Sequence, residues 1–110
     1  MSSSQDFADF VVEQMENVDA VTVRKMFGEF AIYSRGKIFG LICDNKLFLK
    51  PTKIGKKLLK NVVEMPPYPG AKPYFLIEEE LENREFLGEV VTKSLEELPD
   101  PKPKKLNLNF

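Results

Sequence analysis

Residues 24–50 alternate apolar and polar side chains between short turn sequences, and this run constrains the fold more than any other part of the chain. It reads RKMFGEFAIYSRGKIFGLICDNKLFLK. A period of two is typical of strands, and turn residues between such strands predict antiparallel neighbours. The run contains no histidine, and the single cysteine of the chain, Cys43, lies inside an apolar strand pattern. We therefore predict the middle of an antiparallel sheet that acts as a scaffold or binding surface.

Two turn sequences divide this sheet region. Ser34–Lys37 contains a glycine beside polar residues, and Asp44–Asn45 is a tight-turn dipeptide. We interpret Gly28 as a bend or bulge inside one longer strand. Met26 and Phe27 beside it are then core residues, because a curved sheet packs apolar side chains next to a glycine bulge. The pattern predicts a meander of three or four antiparallel strands.

Helices are predicted before, within and after the strands. The first follows candidate caps among Ser2–Ser4, Thr52 is the predicted cap of the second, and Asn83 is the predicted cap of the third. Residues 65–70 contain three prolines and a glycine and predict an ordered loop, and residues 73–77 predict one more strand. The predicted fold class is α+β: two layers, with an antiparallel sheet of about five strands.

The 110 residues fit one compact domain. We place its boundaries at residues 1–98 and treat residues 99–110 as a Pro/Lys-rich C-terminal tail. Leu106, Leu108 and Phe110 alternate with asparagines in this tail. Such a segment is either disordered or adds as a strand to an exposed sheet edge, in its own chain or in a neighbour's.

Cysteine usage and the first residues predict where the protein works. A lone cysteine forms no intramolecular disulfide, and the start MSSSQDFADF lacks the basic and apolar regions of a signal peptide. No apolar stretch approaches the roughly 20 residues that cross a bilayer. We expect a cytoplasmic protein with no membrane partner.

Positive charge is concentrated in the middle of the chain. Residues 21–60 carry ten basic and two acidic side chains, whereas residues 61–98 carry three basic and nine acidic ones. A basic centre attracts nucleic acid or an acidic protein, unless acidic flanks fold back and neutralise it.

Several short motifs follow one another in a distinctive order. They are Arg24-Lys25-Met26-Phe27-Gly28, Ile32-Tyr33, Gly36-Lys37, Phe39-Gly40, Asp44, Leu47–Lys50, Tyr68-Pro69-Gly70, Lys72-Pro73-Tyr74 and Glu82–Leu87. In this order, from Phe7 to Leu98, the chain resembles the TfoX N-terminal domain family. The resemblance implies a secretion-chaperone-like two-layer fold. It also implies kinship with regulators of natural competence, which act as transcriptional coactivators beside a cyclic-AMP-dependent activator. Those regulators carry a further helical domain, so this chain resembles the stand-alone members.

Cations near these motifs are the best binding candidates, because packing does not demand them. The candidate binding residues are Arg24, Lys25, Lys37 and Lys50, with Tyr68 and Lys72 from the neighbouring loop. We predict that the four cations form one basic rim. The alternative is a set of solvated side chains without a partner.

The leading hypothesis is a non-enzymatic protein-binding domain, an accessory factor in gene regulation whose partner is a transcription regulator. We expect no catalytic residue, cofactor or metal, because histidine, a cysteine-rich metal spacing and a Gly-rich phosphate loop are all missing. One alternative is non-specific nucleic-acid binding through the lysines of residues 53–60 and of the tail. The other is a self-associating domain, with a homodimer formed through a sheet edge or the tail.

Overall fold

The computed structural model describes residues 2–101. The first half contains α1 (Gln5–Gln14), β1 (Val21–Met26), β2 (Glu29–Ser34), β3 (Lys37–Cys43) and β4 (Lys46–Leu49). The second half contains α2 (Lys53–Leu59), β5 (Glu64–Met65), β6 (Tyr74–Ile77), a 3-10 helix (Glu79–Glu82) and α3 (Arg84–Glu97). The two alternatives for the tail, disorder and strand addition, concern residues that lie almost wholly outside this range. None of the helices within it is both long and apolar enough to cross a membrane.

The strands form one antiparallel sheet in the order β1-β2-β3-β4-β6-β5. Phe30, Ile42, Leu47 and Ile77 are paired across four neighbouring strands, so their side chains point to the same face. They are buried in a core that also contains residues of all three α-helices. The helices therefore cover this face of the sheet, and the predicted α+β fold with helices before, between and after the strands is confirmed.

Three two-residue turns connect β1, β2, β3 and β4. They are Phe27-Gly28, Arg35-Gly36 and Asp44-Asn45, and all six residues have φ between 50° and 81°. Positive φ at both central residues is the mark of the type I′ turn, whose twist matches that of the strands it joins. The predicted turns at Ser34–Lys37 and Asp44–Asn45 are confirmed.

The interpretation of Met26, Phe27 and Gly28 is wrong. Met26 pairs with Glu29, so Phe27 and Gly28 form the tip of a hairpin and not a bulge within one strand. Phe27 is 102% exposed and Met26 is 40% exposed, because a hairpin tip projects beyond the sheet. The irregularity lies instead further along, where the register between β2 and β3 shifts at Ile32 and Tyr33.

Helix ends follow the local sequence closely. Ser4, Thr52 and Asn83 each accept a hydrogen bond from a backbone N–H of the first turn, which confirms the predicted caps. The carboxylate of Glu97 in α3 also accepts from the N–H groups of the first two residues of α2, at 2.8 and 3.0 Å. These hydrogen bonds lower the pKa of Glu97 below its usual value. The end of α3 is thereby linked to the start of α2.

Candidate functional site

The face of the sheet turned away from the helices carries its own row of paired side chains. Arg24, Ala31, Leu41, Phe48 and Leu76 lie opposite one another across β1, β2, β3, β4 and β6. They alternate with the residues of the core, so they point to the other side. Phe48 is only 2% exposed even though it lies on this open face. Pro67, in the loop after β5, is also buried, and it lines the same groove as Phe48.

A groove of about 970 Å³ lies on this open face. Its floor includes Leu41, Cys43 and Phe48 of the central strands. One wall is the tip of the β1–β2 hairpin, and the opposite wall is the segment from Met65 to Gly70. Within residues 2–101, no residue of α1, α2 or α3 lines the groove. The groove is therefore a product of the sheet, one hairpin and the proline-rich loop.

The walls of the groove concentrate the exposed hydrophobic side chains of the described chain. Residues 2–101 expose five large hydrophobic side chains: Met26 (40%), Phe27 (102%), Val63 (54%), Met65 (40%) and Tyr68 (56%). All of these except Val63 line the groove. Exposed apolar residues scattered singly are ordinary, whereas a contiguous patch marks an interaction site.

A hydrogen-bond network fixes the groove's end near the turns. The Ser3 hydroxyl donates to the Glu29 carboxylate at 2.6 Å and accepts from the N–H of Asn45 at 2.9 Å. The N–H of Asp44 donates to both oxygens of Glu29 at 3.2 Å. The N–H of Ser3 also donates to the carbonyl of Gly28 at 3.0 Å. The N-terminal segment thus holds the β1–β2 and β3–β4 turns together and positions the hairpin wall.

The thiol of Cys43 lies on the groove floor, and the residue is 4% exposed. Burial, followed by the nearby charges of Glu29 and Asp44, raises its pKa from 9.0 to about 11. A thiol with a raised pKa is protonated at neutral pH and is a poor nucleophile. The predicted burial of Cys43 is confirmed, and the residue forms part of the groove floor.

We expect the free energy of unfolding to decrease as the pH rises from 9 to about 11. The folded thiol has the higher pKa, so the unfolded state releases its proton first and is favoured in this window. The stabilisation is complete below the unfolded pKa and is lost as the pH passes through the folded one. Urea unfolding of the parent and of Cys43→Ala across this range isolates the effect from lysine and tyrosine titration. Parallel pH profiles for the two proteins would contradict the assignment.

The candidate cations do not all lie on one surface. Arg24 points to the open face, whereas Lys25 shares its row with the core residue Phe30 and points to the helix-covered face. Both lie on β1, next to the hairpin wall of the groove. Lys50 follows β4 at the other end of the strands, where its N–H donates to the carbonyl of Phe39 at 2.9 Å. From β1 to β4 the sheet spans three strand spacings, about 14 Å.

Lys37 is engaged within the fold. Its ammonium donates to the carbonyl oxygens of Leu95 and Leu98 at 2.8 and 3.1 Å, and it lies 3.2 Å from the Asp100 carboxylate. Its side chain is only 17% exposed. Lys37 therefore caps the C-terminus of α3, where carbonyl groups lack helical partners and a cation is favoured.

The two candidates from the loop fall on either side of the groove's boundary. Tyr68 lines the groove, and Lys72 is an exposed residue beyond its last lining residue, Gly70.

The sequence reasoning missed Met26, Phe27 and Met65 as site residues. Met26 and Phe27 could have been found from the sequence. The Phe27-Gly28 pair separates two strand patterns, and two residues are enough to form a hairpin turn.

Two comparisons with known proteins place the chain among its relatives. The profile of the TfoX N-terminal domain matches residues 13–98. A protein of Spirochaeta aurantia, described as an uncharacterized 12.7 kDa protein in the trpE 5′ region, is 37% identical over 105 residues. That alignment covers 96% of this chain and 91% of the relative. The profile match includes every strand and the proline-rich loop, and therefore all the elements that form the groove.

Proposed function

This chain belongs to the TfoX N-terminal domain family, and we propose that it is a non-enzymatic protein-binding domain whose groove receives apolar side chains from an extended segment of a partner protein. The observation that carries the proposal is the position of the exposed hydrophobic residues. Met26, Phe27, Met65 and Tyr68 lie on the two walls of one groove instead of being spread over the surface. Aromatic residues and methionine are enriched at the centres of protein interfaces.

The exposure of the walls favours a protein over a small ligand. Sites for small molecules bury most of the ligand surface between enclosing walls. Here Phe27 is fully exposed at the hairpin tip, so one wall projects into solvent and encloses little. A projecting aromatic side chain instead suits insertion into a partner, where it can act as a binding hot spot.

The family supports a partner from gene regulation. The resemblance links the chain to competence regulators that act through another protein, and the groove offers a surface for such a contact. The domain is accordingly an accessory factor that acts by binding a transcription regulator. Candidate residues at the groove are Tyr68 in its wall and Arg24 and Lys25 beside it.

Photocrosslinking in native cells tests this proposal. Benzoylphenylalanine replaces Phe27 in one protein and Lys93, an exposed residue of α3, in a matched control. We expect a nuclease-resistant protein adduct from position 27 that position 93 does not form. Identical adducts from both positions, or adducts that disappear with nuclease, would contradict a protein-binding groove.

The captured protein is then purified and titrated against the parent and Phe27→Ser by calorimetry. We expect the substitution to weaken binding about thirtyfold or more, since a hot-spot aromatic contributes about 2 kcal/mol or more. Phe27 is fully exposed, so its replacement should change the unfolding free energy by no more than about 0.5 kcal/mol. Unchanged affinity in a folded Phe27→Ser protein would contradict the proposal that the groove binds the partner.

A further inference from the structure

The outer side of β1 is an open edge of the sheet. β1 is the first strand in the sheet order and pairs only with β2 within residues 2–101. In a two-residue hairpin the closing pair, here Met26 and Glu29, exchanges both backbone hydrogen bonds. By alternation along the strand, the N–H and C=O groups of Val21, Val23 and Lys25 point away from β2. These groups are available to another strand.

The edge is also cationic on both faces of the sheet. Arg24 points to the open face and Lys25 to the helix-covered face, and both side chains are exposed. Neither makes a salt bridge with any other residue between 2 and 101. Positive charge on an edge strand opposes pairing with a second copy of the same strand.

We infer that β1 pairs with an extended, acidic segment of the partner protein. This inference rests on the proposed function and adds the chemistry of the partner. Backbone hydrogen bonds to Val21, Val23 and Lys25 hold the added strand, as in other complexes formed by strand addition. Arg24 and Lys25 point to opposite faces, so two adjacent acidic residues in the segment place one carboxylate beside each cation.

The position of β1 connects this edge to the groove. Met26 is the last residue of the strand and also lines the groove wall. A segment that pairs along β1 in the parallel direction leaves the strand beside Met26, on the hairpin that forms one groove wall. The segment that fits has two adjacent acidic residues and, beyond them, a bulky apolar side chain.

A synthetic peptide tests the inference. It contains two adjacent glutamates flanked by valine and threonine, followed by phenylalanine, and the matched control carries lysines in place of the glutamates. Both are titrated to about 1 mM into labelled protein, in the range of weak peptide complexes. We expect the glutamate peptide to shift the amide signals of Val21, Val23 and Lys25 and to slow their hydrogen exchange. The lysine peptide should bind at least about tenfold more weakly.

Reversing the charge of the edge is the more specific test of the inference. In a protein carrying both Arg24→Glu and Lys25→Glu, the preference should invert, so that the lysine peptide binds more tightly than the glutamate peptide. Both side chains are exposed, so the fold should persist. Equal affinity of the two peptides, no shift at β1, or protection of β1 amides by raised protein concentration alone would overturn the inference.

The experiments distinguish failure of the strand-pairing inference from failure of the groove proposal. If Phe27→Ser abolishes partner binding while the peptide leaves β1 unaffected, the groove proposal stands and the edge inference falls. If the peptide protects β1 in a charge-dependent manner while Phe27→Ser leaves partner binding intact, the edge stands and the groove proposal falls.

Discussion

Replacing Phe48 by alanine is expected to lower the free energy of unfolding by about 3–5 kcal/mol. Phe48 is 2% exposed and pairs with Leu41 on one side and with Leu76 on the other. Removing its ring leaves a cavity on the open face of the sheet, and the cost adds lost apolar burial to lost packing contacts. Against the roughly 5–15 kcal/mol that stabilises a typical domain, this is a large loss.

Urea denaturation followed by circular dichroism measures this effect. Leu41→Ala is the matched control, because Leu41 lies in the same row but is only half-buried. We expect a clearly smaller loss for the control. Equal losses, or a loss below about 1 kcal/mol for Phe48→Ala, would contradict tight packing of Phe48 on the open face.

Features set by neighbouring residues were predictable from the sequence. Ser4, Thr52 and Asn83 cap helices because each side chain bonds an amide three residues along the chain. The Asp44-Asn45 turn also follows from local chemistry, since these residues tolerate positive φ. Such features need no knowledge of distant contacts.

The hairpin at Phe27 and Gly28 shows where local reasoning stops. A glycine after two apolar residues in a strand pattern fits a bulge and a two-residue turn equally well. The register of β1 against β2 decides between them, because Met26 pairs with Glu29. Backbone pairing across the hairpin thus places Phe27 outside the core.

The site itself depends on contacts between distant residues. Lys37 was a reasonable binding candidate, but its hydrogen-bond acceptors Leu95 and Leu98 lie 58 and 61 residues along the chain. The groove likewise joins Met26 to Met65 and Tyr68 of the opposite wall. The alternation of apolar and polar residues within each segment does not show which segments lie opposite each other across the groove.

At the centre of the sheet, Gly40 of β3 lies close to the backbone of β4. Replacing Gly40 by alanine is expected to destabilise the protein by about 1–3 kcal/mol. A Cβ at this position would lie 2.7 Å from the carbonyl oxygen of Phe48 and 3.4 Å from Cδ2 of Leu49. The carbonyl belongs to the backbone of β4, which is held on its other side by β6 through the pair Leu49 and Phe75. The added methyl group must therefore push β3 and β4 apart.

Urea denaturation and amide hydrogen exchange check this expectation against Gly70→Ala. A Cβ added at Gly70 would meet no atom of residues 2–101 within 4 Å, and the φ of 89° makes backbone strain the only cost, about 1–2 kcal/mol. Separation of β3 from β4 should also speed exchange at the amide of Lys50, which donates to the carbonyl of Phe39. Gly70→Ala should leave that amide unaffected. Unchanged exchange and full stability in Gly40→Ala would show that β3 and β4 tolerate a side chain between them.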